Sequence, residues 1–478
     1  MFTGLPEMPG RDPWRTKRVI KKLLKLFGIS RAVLFGAMSK VWFAVGGAVT
    51  VLLIMYYFSP TLQGFYFTFS SLLSLQLFIE MGLNSVIINF TSHEWAKLSL
   101  DKEGRITGDP VALSRLKSLA RLVFMWYLIG AALLACILIG AGSYFFWRSD
   151  TAGIHWAGPW LFLCLATGIN LVIVPAFSLL EGSNQVAQVY FFRFAQEMVR
   201  SLSTWFFIIF GGGLWTLGGS SFMMAICGTA FMLAKFRNYF ISLWKVKVKA
   251  AIDWRKEIWP MQWRIAVSFM AGYFFFPLFT PLLFHYKGAV EAGRAGMTIA
   301  MTSALMLIAS MWLITKAPQF GVLISKKSYK ELDRLLIHSG IRAFLAALGG
   351  AIILFTSVYV LYSTGSPLSI RLLPPLPTGL FLAAAVLMQI LIAQSTFLRA
   401  HKKEPFMGLS VTGAVIMAIL AFSTVGRWGA TGIAVSYFSL IAFFTIPFGT
   451  IIWLRCRNEW RAGDFIEPSV ASDGEVTI

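Results

Sequence analysis

Arg193, Glu197 and Arg200 interrupt the apolar stretch YFFRFAQEMVRSLSTWFFIIF, residues 190–210. Their spacing of four and then three puts all three on one face of an α-helix and leaves Phe191, Phe192, Trp205, Phe206 and Phe207 for other faces. Glu80, Glu291 and Arg294 also lie inside apolar runs, with Arg264 and Lys316 at run ends. An ionised side chain at the centre of a membrane helix costs about 2.5–3.5 kcal/mol, so it pairs with another charge or lines a path for a charged ligand. Arginine suits a phosphate because its planar, permanently ionised fork gives bidentate hydrogen bonds. At 1.5 Å per residue, Arg193 falls roughly 10 Å from the cytoplasmic end of its helix and Arg200 roughly 10 Å deeper. Glu80, on a helix running the other way, falls at about the depth of Arg193, which allows a Glu80–Arg193 pair. The stripe holds more Arg than Glu, so the expectation is a cavity with positive charge left for an anionic ligand; the plainer alternative is a closed set of ion pairs that only fixes packing. The candidate substrate-binding residues are therefore Arg193, Arg200, Arg264, Arg294 and Lys316. The candidates for ion coupling or charge pairing are Glu80, Glu197 and Glu291.

No other chemistry is visible. The sequence has no phosphate-cradling Gly-Lys-Ser/Thr loop, no His-Glu-x-x-His and no Cys-x-x-Cys, so no catalytic residue, metal site or cofactor is expected. His93, His155, His285, His338 and His401 are unclustered and read as surface residues near membrane boundaries. Cys136, Cys164, Cys227 and Cys456 show no paired spacing and read as packing residues.

The elements that must position these charges are long and apolar. Of 478 residues 57% are hydrophobic and 13% charged, which suits a multi-span membrane protein and not a soluble domain. Twelve apolar runs of span length fall near 36–57, 64–90, 119–143, 157–180, 187–210, 214–235, 262–285, 289–314, 341–363, 375–397, 406–425 and 429–454. Loops on one side carry 35 of the 42 Lys and Arg, while the other side has only Arg148, Lys287, Arg371 and Arg427. The positive-inside rule then puts both termini in the cytoplasm and explains the formal charge of +21 without nucleic acid. The first run is full span length with no small-residue cleavage site, which predicts a retained helix. Within 14–27, apolar and basic residues alternate in a pattern that fits an interfacial helix on an anionic leaflet or a solvated basic tail.

The polar interval KVKVKAAIDWRKEIWP divides the chain into six runs and six runs. The expected organisation is a basic cytoplasmic segment 1–35, a six-helix bundle 36–235, a linker 236–261, a second bundle 262–454 and a cytoplasmic tail 455–478. Gly213-x-Trp215 matches Gly426-x-Trp428, and the stretches starting at Gly64 and Gly293 match loosely at a similar offset, which predicts two parallel halves related by an axis along the membrane normal. After the eighth run, Ser328 and Glu331 form a capping-box pattern followed by Leu332, Leu335 and Leu336, which reads as a short surface helix or an ordinary basic connector.

With GFYFTFSSLLSLQLFIEMGLNSVIINFTSHE, LLEGSNQVAQVYFFR and GRWGATGIAVS in hand, the chain resembles the multidrug/oligosaccharidyl-lipid/polysaccharide exporter superfamily, in its branch of bacterial lipid-linked oligosaccharide flippases. The resemblance covers nearly all of 35–455. Its basic N-terminal extension and Arg294 within Gly-x-x-Gly depart from the pattern. The resemblance implies an all-α polytopic protein of the bacterial inner membrane, not an enzyme, whose two bundles flip an undecaprenyl-pyrophosphate-linked glycan by alternating access. Membrane lipids, a polysaccharide polymerase and a chain-length regulator would be its partners. A proton or sodium gradient would drive it, with Glu80, Glu197 or Glu291 as carrier. A drug/cation antiporter of the same superfamily would share the fold but favour an acidic cavity. A polysaccharide polymerase would need larger outer loops, and a purely structural membrane partner would show no substrate dependence.

Overall fold

Apolar side chains dominate every long segment, and in hydrocarbon such a chain satisfies its backbone only as helices. A computed structural model describes residues 31–148, 153–245, 250–401 and 403–466. The stretch 14–27 lies outside them. The first half comprises α1 (Arg31–Tyr57), α2 (Pro60–Leu73), α3 (Leu83–Trp95), α4 (Pro110–Ile137), α5 (Ala157–Gly182), α6 (Val186–Ile209) and α7 (Trp215–Lys235). The second comprises α8 (Trp259–Ala271), α9 (Phe276–Lys287), α10 (Ala289–Ile314), α11 (Tyr329–Ser363), α12 (Pro375–Ala400), α13 (Met407–Ser439) and α14 (Ile446–Ile466). Helix starts follow local chemistry. The Ser59 hydroxyl accepts from Leu62 N at 3.1 Å ahead of Pro60, and the Asp109 carboxylate accepts from Val111 N at 3.1 Å ahead of Pro110.

Ten helical runs among the described residues are long and apolar enough to cross a membrane. Two more come from α6, which Arg193, Gln196, Glu197 and Arg200 make less apolar, and from Met407–Arg461, where Gly429 at φ 55° divides one run into two spans. Twelve expected spans are thus accounted for.

Two spans are broken inside the membrane. Between α2 and α3 the short helix Leu77–Glu80 ends at Met81 (φ 43°) and Gly82 (φ 67°), both left-handed. Between α8 and α9 a single 3-10 turn, Gly272–Phe274, precedes the new start before Pro277.

Within the first half α1 packs on α6, α6 on α7, α7 on α5 and α5 on α4; within the second, α10 packs on α9, α11 and α12, and α12 on α13. The halves meet through α2 against α9 and α10, through α1 against α10, and through α8 against the broken part of the second span. Phe65, Phe146 and Phe284 form an aromatic knot across the halves, with ring centroids 4.9–5.7 Å apart.

Three local expectations change. The 91–121 connection holds a two-stranded antiparallel hairpin, β1 (Leu98–Leu100) and β2 (Ile106–Gly108), with Leu98 opposite Gly108. The capping box at Ser328 does not form, because Lys327 at φ 55° turns the chain and Ser328 makes no side-chain cap. The short helix expected there is the first part of α11, which buries Leu332 and Leu336 against Phe320 and Phe397. Gly213 precedes α7 with φ 50°, whereas Gly426 lies within α13 and the corresponding break is three residues later, at Gly429.

Candidate functional site: the charged stripe of α6 and the contact between halves

The stripe of α6 faces α1 and the end of α5. Small residues let the helices approach: a Cβ on Gly46 of α1 would lie 2.8 Å from Ser201 Oγ, and Trp205 Nε1 donates to Thr50 Oγ1 at 3.0 Å. This packing aims Arg200 over the Phe43 ring at 5.3 Å from its centroid, within cation–π range.

Each arginine of the stripe has a carboxylate. Arg200 Nη2 donates to Glu197 Oε2 at 2.5 Å, one turn back on the same helix. Arg193 Nη2 lies 2.8 Å from Oε2 of Glu181, at the end of α5, while the Arg193 guanidinium also stacks over Tyr190. The Arg193–Glu181 contact is an ion pair whose geometry lies off the hydrogen-bond direction. Both arginines keep about 40% of their side-chain surface open, against 12% for Glu181 and 27% for Glu197.

Arg193 therefore pairs with Glu181 and not with Glu80. The pairing is short-range in sequence, because α5 and α6 are joined by only Ser183, Asn184 and Gln185. Glu80 ends the short helix before the break, half-buried, and has no ion pair or hydrogen bond among the described residues. Beside it Asn84 Oδ1 accepts from the Tyr127 and Ser178 hydroxyls at 3.1 and 3.0 Å, and Ile79 O accepts from Trp126 Nε1 at 3.0 Å.

The other candidates lie elsewhere. Glu291 Oε1 accepts from Ala430 N at 2.7 Å and so caps the helix that restarts after Gly429. Arg294 Nε donates to Ile370 O at 2.8 Å in the outer turn Pro367–Arg371. Lys316 sits at the N-cap of the short helix Ala317–Ser325, at the other end of α10. Arg264 falls within α8, and its side chain is outside the described residues. The structure does not bring Glu291, Arg294 or Lys316 to the stripe.

At their outer ends α2 and α10 touch through backbone. A Cβ on Gly64 would lie 1.9 Å from Ala289 O, one on Gly293 2.7 Å from Gly64 N, and one on Gly296 2.4 Å from Phe67 Cβ. This contact joins the halves at their outer ends.

No known family model matches the chain, and no curated protein matches its sequence. Solved structures do. The MATE multidrug transporter DinF-BH aligns with a TM-score of 0.55 and 16% identity over 88% of this chain and 94% of its own. An inward-facing multidrug resistance MATE family transporter of the MOP superfamily aligns at 0.54 and 12% identity over 86% and 99%. The Vibrio cholerae MATE transporter VcmN, in a mutant form, aligns at 0.51 and 15% identity over 94% and 98%. The chain has the fold of the MATE transporters of the MOP superfamily. At these identities the MATE likeness is one of fold. It accommodates all twelve spans in a multi-pass membrane protein.

Sequence reasoning missed Glu181, although it stands in the quoted stretch LLEGSNQ. A carboxylate at the end of a run reads as a boundary residue until the adjoining helix is seen to fold back over it.

Proposed function

We propose that the protein is a secondary exporter working by alternating access, and specifically a cation-coupled antiporter of amphipathic organic cations. One observation carries this reading. With Arg193 held by Glu181 and Arg200 by Glu197, the charge left without a partner at this depth, among the described residues, is the carboxyl of Glu80. A net basic cavity would oppose a cationic cargo; with Glu181 counted, the charges inside the spans of the first half are Glu80, Glu181 and Glu197 against Arg193 and Arg200, a balance of one negative charge. An unpaired acid in a membrane interior suits exchange of a proton or cation against a positively charged cargo. Two of the similar structures belong to proteins named as multidrug transporters, which supports the same choice. The sidedness of the basic loops supports cytoplasmic termini, and the resemblance to bacterial exporters supports the inner membrane as the setting.

A second reading, export of an undecaprenyl-pyrophosphate-linked glycan towards a polymerase and chain-length regulator, is favoured by the open surface of Arg193 and Arg200. It is also favoured by an apolar groove of about 540 Å³ between α11, α12 and α13, lined by residues such as Leu348, Ile352, Phe355, Leu382, Val386 and Phe438, which suits a hydrocarbon chain.

Reconstitution in proteoliposomes separates the two. A pH gradient should drive accumulation of a fluorescent organic cation, and an ionophore that collapses the gradient should abolish it. Absence of accumulation, together with lipid-linked oligosaccharide trapped on the cytoplasmic leaflet of a deletion strain, would replace the first reading with the second.

A further inference from the structure

Gln63 precedes the Gly64 contact and is 1% exposed. Its amide nitrogen donates to the carbonyls of Gly293 at 2.8 Å and Arg371 at 2.9 Å, with Met297 Sδ 3.8 Å away. All three partners belong to the second half. The chain around Arg371 is already fastened inside that half: Arg294 Nε donates to Ile370 O at 2.8 Å, the Tyr362 hydroxyl to Leu372 O at 2.8 Å, and Leu373 N to Thr298 Oγ1 at 3.2 Å. One amide on α2 thus joins the first half to α10, α11 and the outer turn, which are fastened to one another.

We infer that Gln63 is the latch of the outer gate: a positioning residue whose two hydrogen bonds hold α2 on α10, so that opening to the outer side proceeds by their release. Position and chemistry both point there. The flanking glycines make contact between the halves close but supply no directional bond, whereas the Gln63 amide supplies two in a site from which bulk water is excluded, where each counts for more. The same burial makes the latch reversible. Its Oε1 has no hydrogen-bond partner among the described residues, so closure satisfies one end of the amide and leaves the other desolvated. An amide fully paired on both ends would favour the closed gate more strongly.

Double electron–electron resonance tests this. Spin labels at Trp147→Cys and Leu368→Cys would report the outer separation of the halves, since these residues are 76% and 41% exposed on opposite halves. The background replaces the four native cysteines by serine or alanine. Gln63→Glu keeps the shape but, as a neutral carboxyl facing two carbonyls, offers at most one donor where the amide has two; Gln63→Leu removes both bonds and keeps the bulk. Gln63→Leu should raise the ratio of long to short distances by about tenfold, a shift of the size that two modest hydrogen bonds give, and Gln63→Glu should raise it in the same direction by about half that free energy, roughly threefold. Distributions unchanged from the parent in both variants would overturn the inference. Should either variant not fold, Gln63→Asn, shorter by one methylene, is measured in its place with the same two outcomes. The measurement needs no cargo: a shifted distribution without organic-cation transport would sink the antiporter reading and leave the latch standing.

Discussion

Gly64 of α2 and Gly293 of α10 meet backbone against backbone, and they are the two glycines that open the loosely matching stretches of the two halves. A Cβ on Gly64 would sit 1.9 Å from Ala289 O. That oxygen belongs to the first turn of α10 and cannot swing aside as a side chain would. Gly64→Ala should therefore push the outer ends apart, at a cost in the ~1–3 kcal/mol range of overpacked cores. The expected result is faster labelling of outer-gate cysteines by a membrane-impermeant thiol reagent. Gly47→Ala is the control: a Cβ there meets nothing within 4 Å, and the helix gains propensity worth up to ~1 kcal/mol. Equal labelling of the two variants would show that the Gly64 contact does not hold the gate.

The Arg193–Glu181 pair makes a different claim, that the stripe is held internally. Arg193→Gln and Glu181→Gln should each lower stability by about 1–2 kcal/mol, less than a fully buried pair because Arg193 keeps 40% of its side chain open. The double variant should recover part of that loss, since no charge is then left without its partner. Thermal unfolding in detergent measures the cycle. Strictly additive losses would mean that the two charges do not interact, and Arg193 would again be available to an anionic cargo.

How far the sequence could be read depends on the range of each signal. Twelve runs and their sidedness are properties of composition over twenty residues, so they are legible without tertiary structure. The break after Glu80 is not, because LFIEMGLNSVIINF stays apolar through it, and only Gly82 hints at the left-handed backbone. The charges of α6 are visible in the sequence but their partners are less so. Glu197 is local and legible, whereas Glu181 acts across a helix turnaround. The role of Glu291 is less legible still, because the N–H it caps belongs to Ala430, on another helix. Side chains that answer distant backbone leave no periodic trace in the sequence.

Glu80→Gln preserves volume and removes the ionisable group. If Glu80 carries the coupling charge, this variant should retain binding of the fluorescent cation in detergent but lose nearly all accumulation driven by a pH gradient. Glu197→Gln should instead behave as a stability variant, since Glu197 is committed to Arg200. Gradient-driven accumulation at parental rates in Glu80→Gln would move the coupling site elsewhere.

At the cytoplasmic end, outside the apolar run 341–363, Asp333 of α11 holds two arginines of α14. Arg457 Nη2 donates to Asp333 Oδ2 at 2.7 Å and Arg461 Nη2 to Oδ1 at 2.5 Å, while the Arg461 guanidinium lies over the Tyr329 ring. Partial burial works against the charged carboxylate, but the hydrogen bonds and charges of Arg461 and Arg457 outweigh it and hold the carboxyl below its ordinary range. A depressed folded-state pKa means that this stabilisation is fully present above the ordinary carboxyl range, near pH 4, and is lost only as pH falls through the still lower folded value. The end of α14 should thus stay docked at pH 5, and Asp333→Asn should loosen it at pH 5 and above, where the parent carboxylate is ionised. Amide hydrogen exchange over 455–461 measures this. Protection that disappears between pH 7 and 5 in the parent protein, or that survives in Asp333→Asn, would show that the helix is held by its apolar contacts and not by this carboxylate.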